Sequence, residues 1–205
     1  MSAPLQCAAA AGDDMRIAQA RVYFGKVGKH LGFASFEDYL ETIPEIPEHL
    51  LEDDEDFPIL LLIESRVKAQ DLSQVVGIQY PWGIANQDFA PFAVEHTTDS
   101  EPRWIRLQTG AKFTGWSAEE ARQLVEEDEF CSTMLMGAAA FLHCSDDFAR
   151  DPISVVLPGS FWGEDEEEWT VTAEWTKKDD ELIPTFATMR SARAFPFMGI
   201  SSYRA

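Results

Sequence analysis

The chain has 205 residues, 45% of them hydrophobic, with 36 acidic side chains against 16 basic ones and a formal net charge of −20. Such a length buries about 70% of the unfolded chain's surface and needs no covalent staple. The charge opposes direct nucleic-acid binding, which relies on Lys and Arg neutralising phosphates, and docking on anionic membranes; it favours solubility and draws basic partners.

Residues 1–12 read as a flexible Ala-rich tail without the basic flank and apolar centre of a secretory signal; residues 13–205 read as a single domain. Asp13 and Asp14 start a helix on which Ile17, Ala20, Phe24, Val27 and Leu31 recur at helical spacing. Gly25 and Gly28 weaken it and Gly32 ends it. Ser35 caps a second helix, with Asp38 three residues on and Phe36, Tyr39, Leu40 and Ile43 facing inward; Pro44 and Pro47 stop it. An acidic connector follows at about 44–56: between Glu41 and Asp56 there are eight acids and no Lys or Arg. "FPILLLIE" has the continuous apolar character of a buried strand, "DLSQVV" is a short helical turn, and residues 77–100 are irregular.

"RWIRLQTGAKFTGW" is expected to form a hairpin turning at "TG". Ser117 and Glu120 form a capping box for a helix whose apolar positions are Ala121, Leu124 and Val125. Ser132 or Thr133 caps the next helix, "MLMGAAAFLHC", whose apolar run is too short to span a bilayer. "ISVVLPGS" is a strand ending in a Pro-Gly turn. In "EWTVTAEWT", Trp169, Val171, Ala173 and Trp175 share one face and Thr170, Thr172, Glu174 and Thr176 the other. "KKDDE" turns the chain and "LIPTFATM" returns it as a hairpin. The sum is an α+β fold, with a mixed, mostly antiparallel sheet packed against several helices.

"RVYFGKVGKHLGF", "FPILLLIE", "RWIRLQTGAKFTGWSAEEA", Gly137 with His143, "VVLPGS" and "RSARA" follow one another in that order. In this the chain resembles a bacterial family of unknown function, best represented in actinobacteria. A helix starting near Ser117 and a Leu-x-Gly-Ser strand end are features of that family; the acidic insert at 164–168 and the aromatic pair Phe161-Trp162 depart from it. The resemblance implies a cytoplasmic bacterial domain, a binding module, and carries no catalytic residue.

The familiar chemistries fail one by one. "PGSFWG" lacks the register of a nucleophile elbow, so Ser160 is read as a turn residue. "GKVGKHLG" has neither Walker spacing nor a preceding strand, and reads as a closely packed helix. Among Cys131, His143, Cys144 and Asp146, the two cysteines flank a helix 13 residues apart, roughly 20 Å at about 1.5 Å per residue. No metal and no cofactor is expected. Cys7, Cys131 and Cys144 are an odd set without disulfide spacing, which suits a reducing cytoplasm.

Acid/base work needs a carboxylate buried beside a partner; Glu64, at the end of the buried strand, is the first candidate and Glu174 the second. A pocket would draw on Glu64, Arg106, Trp116, His143 and Ser160. Trp104, Trp169 and Trp175 are core residues by pattern. Trp162 differs, because Phe161 precedes it and Glu164, Asp165, Glu166, Glu167 and Glu168 follow: aromatics beside carboxylates suit a cationic side chain. After Glu181 there is no acid, while Arg190, Arg193 and Arg204 remain, a basic end expected to fold back on the acidic body. The expected function is a non-catalytic, cytoplasmic acidic domain that engages a basic protein through Phe161, Trp162 and the 164–168 acids, with the 52–56 acids beside them. The alternative is a small-molecule enzyme whose pocket no short motif marks.

Overall fold

The computed structural model describes residues 12–79, 100–125, 128–146, 148–149, 154–162 and 168–205. Their helices are α1 (Gly12–Tyr23), α2 (Phe36–Glu41), α3 (Glu48–Leu51), α4 (Ala69–Val76), α5 (Ala118–Leu124) and α6 (Met134–His143). Their strands are β1 (Ile59–Ile63), β2 (Arg103–Leu107), β3 (Phe130–Cys131), β4 (Ser154–Trp162), β5 (Trp169–Lys178), β6 (Glu181–Arg190), β7 (Met198–Ile200) and β8 (Ser202–Arg204). The class is α+β, and the strands divide between two four-stranded sheets ordered β1-β2-β8-β3 and β6-β5-β4-β7. All pairings are antiparallel except β4 with β7. Of the expected N-terminal tail, only Gly12 lies within the described residues.

The first helix changes geometry in its last turn. α1 passes into a π-helical turn at Phe24–Gly28, and Gly32, at φ +86°, ends the run. Gly28 is tight against the Phe24 ring, but nothing lies within 4 Å of where a Cβ on Gly25 would sit. An exposed helical glycine costs about 1 kcal/mol relative to alanine. Ser35 caps α2 as expected, its hydroxyl accepting from the Asp38 amide at 3.1 Å.

β1 is buried along its whole length and forms an edge of its sheet. Its open side is closed by side chains of α1. The Gln19 amide donates to Leu60 O at 2.9 Å while its Oε1 accepts from the Leu62 amide at 2.8 Å, and the Tyr23 hydroxyl donates to Leu62 O at 3.0 Å. One glutamine thus satisfies a strand's edge as a neighbouring peptide group would.

The hairpin expected at 103–116 does not form. β2 pairs with β1 from Ile63↔Arg103 to Ile59↔Leu107 and, on its other side, with β8. The chain does turn at Gly110, at φ +103°, but a Cβ there would stand 2.8 Å from Gly199 Cα. The residues that follow therefore run along the second sheet, where Ser117 bridges Ala194. "DLSQVV" belongs to a helix of eight residues, closed by Gly77 at φ +84°.

In the second sheet, β5 and β6 pair continuously from Trp169↔Arg190 to Lys178↔Glu181. The connecting Asp179 and Asp180 have φ of 49° and 67°, the two-residue turn whose twist matches the strands. The Pro-Gly turn expected to end β4 is instead a bulge: the register with β5 shifts between Leu157 and Phe161, and pairing resumes to Trp162. The Gly159 amide donates to Ser132 O at 2.9 Å, which pulls the bulge onto the start of α6.

α6 is apolar all round and buried at Met134, Met136, Gly137, Ala138, Ala139, Ala140 and Phe141, as a central core helix must be. It packs between the sheets: a Cβ on Gly137 would come within 2.7 Å of Leu157 Cδ1. The opposite face of the second sheet carries another cluster, including Phe113, Ala118, Ala121, Val156, Met198 and Ile200. For that reason Thr170 and Thr172, on the second of the two faces expected of this strand, are buried along with Val171 and Ala173. The basic end does fold back: Arg204, on β8, pairs with Asp54 at 3.3 Å and Asp128 at 3.2 Å. Among the described residues, no helix is long and apolar enough to cross a membrane.

Candidate functional site

The aromatic-acidic stretch is already in contact with a cation of the same chain. Ser117 and Glu120 form the expected capping box, with bonds of 2.9 and 3.2 Å between each side chain and the other's amide, and this fixes the start of α5. Arg122, one turn on, places its guanidinium 4.2 Å from the Phe161 ring centroid. It donates to Glu168 Oε1 at 2.7 Å, Pro158 O at 3.0 Å and Ser191 Oγ at 3.2 Å. The recognition expected of a basic partner at Phe161 and Glu168 is thus made internally by Arg122. Trp162 pairs through its backbone with Trp169; Glu164, Asp165, Glu166 and Glu167 lie outside the described residues, as do Cys7 and Trp82.

The five residues considered for a pocket occupy separate places. Glu64 is fully buried and accepts from the Tyr39 hydroxyl at 2.7 Å and from Arg66 Nε and Nη2 at 2.6 Å each. Arg66 also donates to Thr42 at 2.8 Å and lies 5.2 Å from the Phe33 ring centroid, so the pair clips the end of β1 to α2. Burial, and then the Glu64 carboxylate, push the Tyr39 phenol above its ordinary range. Arg106 is buried and donates to Leu50 O at 2.8 Å and Phe57 O at 3.1 Å. Ser160 Oγ accepts from the Met134 amide at 2.8 Å, capping α6 from another element. His143 is at the far end of α6, about 14 Å along the axis from Met134 at about 1.5 Å per residue. Trp116 is 41% exposed on the loop before α5.

Cys131 precedes α6 and Cys144 follows it, as the spacing required. Burial pushes the Cys131 thiol up to about 12, against a lowering by Arg122 and with a push from Glu129; a thiol held protonated is a poor nucleophile. Among the described residues no group of three or more His, Cys, Asp or Glu side chains is placed to hold a metal ion. Of the tryptophans expected in the core, Trp104 is buried and donates to Pro44 O at 2.9 Å. Trp175 donates to Phe148 O at 2.8 Å, while Trp169 lies under the Arg190 guanidinium at 4.8 Å.

Sequence reasoning missed a buried polar network where the chain crosses between sheets. Glu129 is buried and accepts from Lys112 Nζ at 2.7 Å and from the Ser202 hydroxyl. Gln108 Nε2 donates to Ser202 Oγ at 3.2 Å, and its Oε1 accepts from the Gly110 amide at 2.7 Å. Ser201, the single residue between β7 and β8, donates from its hydroxyl to Gln108 O at 2.7 Å and from its amide to Val156 O at 2.9 Å. The only signal in the sequence is a scatter of Ser and Gln interrupting apolar runs. These bonds stitch the sheets together and leave no polar group reaching toward solvent except the half-exposed Lys112.

The segment read as an acidic connector is a braced ridge. Ile46 and Leu50 are buried. Arg16 donates to Leu40 O at 2.9 Å and Ile43 O at 2.7 Å, while Trp104 and Arg106 hold the carbonyls of Pro44, Leu50 and Phe57. Asp54 Oδ1 accepts from the amides of Asp56 and Phe57 at 3.0 and 3.1 Å. Asp54 is thus the one acid of the ridge that serves as a brace among the described residues; the other polar braces act on main-chain carbonyls. Glu48, Glu52, Asp53, Glu55 and Asp56 are exposed and, among the described residues, make no ion pair. Leu51, in their midst, is 45% exposed.

His143 sets an acid limit on stability. Its ring stands edge-on to Tyr23 at 4.9 Å, its Nε2 is buried with no hydrogen-bond partner among the described residues, and burial lowers its pKa from 6.5 to about 4. The unfolded chain takes up that proton first, so stability held above pH 6.5 declines as pH falls toward 4 and then levels, by about 3 kcal/mol at most. Glu174 acts in the opposite sense: burial raises its pKa, against a lowering by Ser154, so the fold gains from its protonation. Urea titrations across that range are expected to lose the decline in His143→Leu while Glu174's effect remains; an unchanged decline in that variant would refute the assignment.

Comparison with protein-family models, with curated proteins and with solved structures finds no match for this chain.

Proposed function

We propose that this chain is a non-catalytic acidic interaction domain that engages a basic protein partner through the ridge at residues 48–56. The observation that carries the reading is the bracing of that ridge. Backbone carbonyls and buried side chains hold it in place, so five carboxylates face outward on a fixed support, with Leu51 partly exposed among them and its methyl groups beside Gly12 of α1. Charged groups presented in this way steer a partner of opposite sign and set the register of docking, and an apolar anchor among them gives the contact its dry centre. The 164–168 acids are a second, lesser part of the surface, since Glu168 and Phe161 already answer to Arg122. A cytoplasmic setting in a bacterium, as the family resemblance implies, belongs to the same proposal.

The enzyme reading has less behind it. A working acid, base or nucleophile needs bonding capacity left for substrate, and Glu64, Arg106 and Ser160 each serve the fold.

The test is a tagged pull-down from the native host's lysate at low and high salt. A stoichiometric basic protein is expected at low salt, released at high salt, and lost when Glu52, Asp53, Glu55 and Asp56 become Ser. Thermal unfolding of that variant should stay within a few degrees of wild type, because the braces do not use those side chains. Replacing Glu164 to Glu168 by Ser should weaken retention less. Retention indifferent to salt and to both replacements would sink the reading.

A further inference from the structure

The outward face of α1 and its π-helical turn carries opposite charges at its two ends. Asp13 and Asp14 are exposed at the start, and Lys26, Lys29 and His30 at the finish; no acid lies between Asp14 and Glu37. Compensation of the helix dipole accounts for that order of signs, but not for what lies between. Val22 is a β-branched apolar side chain, 39% exposed. Gly25 has open space where a Cβ would sit, and its φ is not positive. Among the described residues nothing packs against that position, and its φ does not call for glycine, whereas the close approach of a second backbone would.

We propose that this face docks on itself, a second copy of the chain lying antiparallel along α1 with the two-fold axis near Arg21 and Val22. The charges at the two ends choose the occupant, since Arg21, near the axis, is turned onto the Phe36 ring of its own chain at 4.5 Å. An antiparallel copy sets Asp14 opposite Lys29 and Lys29 opposite Asp14, with each Gly25 facing the partner's Ala18; a parallel copy would set like against like. A two-fold contact makes every such pair twice and closes on itself. From Asp14 to Lys29 the face is about 22 Å long at about 1.5 Å per residue. A contact of that length buries less than the roughly 800 Å² per partner of a standard interface, so the dimer is weak. The net charge of −20 on each copy repels, but salt screens it beyond about 8 Å at physiological ionic strength, which leaves the facing ends to decide. The residues of this face are not those of the 48–56 ridge, although the two surfaces adjoin where Leu51 lies against Gly12; the variants at Gly25 and Lys29 leave the ridge unchanged and so test the dimer by itself.

Sedimentation velocity of the full chain over rising concentration, at physiological salt, is expected to show a reversible monomer-dimer exchange. Gly25→Leu should leave thermal unfolding unchanged or raised, because the site is open, while shifting the exchange at least tenfold toward monomer. Lys26→Asp with Lys29→Asp should do the same, and adding Asp13→Lys with Asp14→Lys should restore the dimer. Cysteine pairing reads the geometry. Val22→Cys should form a disulfide-linked dimer on mild oxidation beyond the wild-type background. Lys29→Cys alone should not, its mates being roughly 20 Å apart along the axes, but should link to Asp14→Cys when the two are mixed. A monomer at every concentration, a dimer indifferent to Gly25→Leu, or Lys29→Cys linking to itself as readily as Val22→Cys would each overturn the proposal.

Discussion

Arg66→Ala is expected to lower the free energy of unfolding by about 3 kcal/mol or more, among the largest effects of any single change in the chain. The loss comes less from the ion pair than from what stays behind. Glu64 has no exposure, and two of its bonds, each of 2.6 Å, come from Arg66. Without them a carboxylate sits in the core with the Tyr39 hydroxyl and the amide of residue 66 as its remaining donors. Removing the charge should remove most of the penalty, so in a Glu64→Gln background Arg66→Ala should cost much less. Urea midpoints of the four proteins test this. Equal losses in both backgrounds would mean that Arg66 acts through its stacking on Phe33 and Tyr39 rather than by balancing a buried charge.

Gly159→Ala is expected to cost about 3 kcal/mol, at the upper end of ordinary overpacking. The added methyl would stand 2.6 Å from Cys131 O and 3.0 Å from Ser132 O. Both are backbone atoms at the entry to α6 and cannot turn aside as a side chain would. Relief requires the bulge to move, which breaks the Gly159–Ser132 bond and draws Ser160 off the Met134 amide. Gly137→Ala offers the contrast: its nearest neighbours are side-chain atoms, the end of the buried Leu157 and the Phe186 ring, which can shift where backbone cannot, and alanine favours the helix, so its cost should be smaller. Denaturation of the pair by urea would contradict this account if Gly137→Ala were the worse of the two.

What was legible in the sequence was local. Ser35 and the Ser117–Glu120 box cap helices because their bonds close within three residues. "KKDD" turns a hairpin because Asp tolerates positive φ at adjacent positions. "ILLLI" had to be buried, since no amphipathic reading exists for it. What failed depended on a competitor far along the chain. β2 has good hairpin chemistry after it, yet β8, about a hundred residues later, takes its free edge. The Pro-Gly of β4 is an ordinary turn signal until the start of α6 supplies a carbonyl for Gly159. The same limit applied at the site. Of "FWGEDEEEW", Phe161 and Glu168 meet a cation, but nothing in the stretch said that it would be Arg122 of the same chain. The 44–56 segment read only as an acidic connector because the groups that brace it, Arg16, Trp104 and Arg106, lie on α1 and β2.

The closure of β1 by Gln19 and Tyr23 also orders events during synthesis. The guard lies 41 residues ahead of Leu60, so α1 has left the ribosome before the apolar strand emerges. The strand that covers the other edge, β2, begins only at Arg103, 40 residues after Ile63, roughly 2–8 s later at about 5–20 residues per second. For that interval a nascent "ILLLI" would have two adhesive edges if its partner came only from other strands. With a helix supplying the first seal, the growing chain exposes one edge to its neighbours on the polysome instead of two.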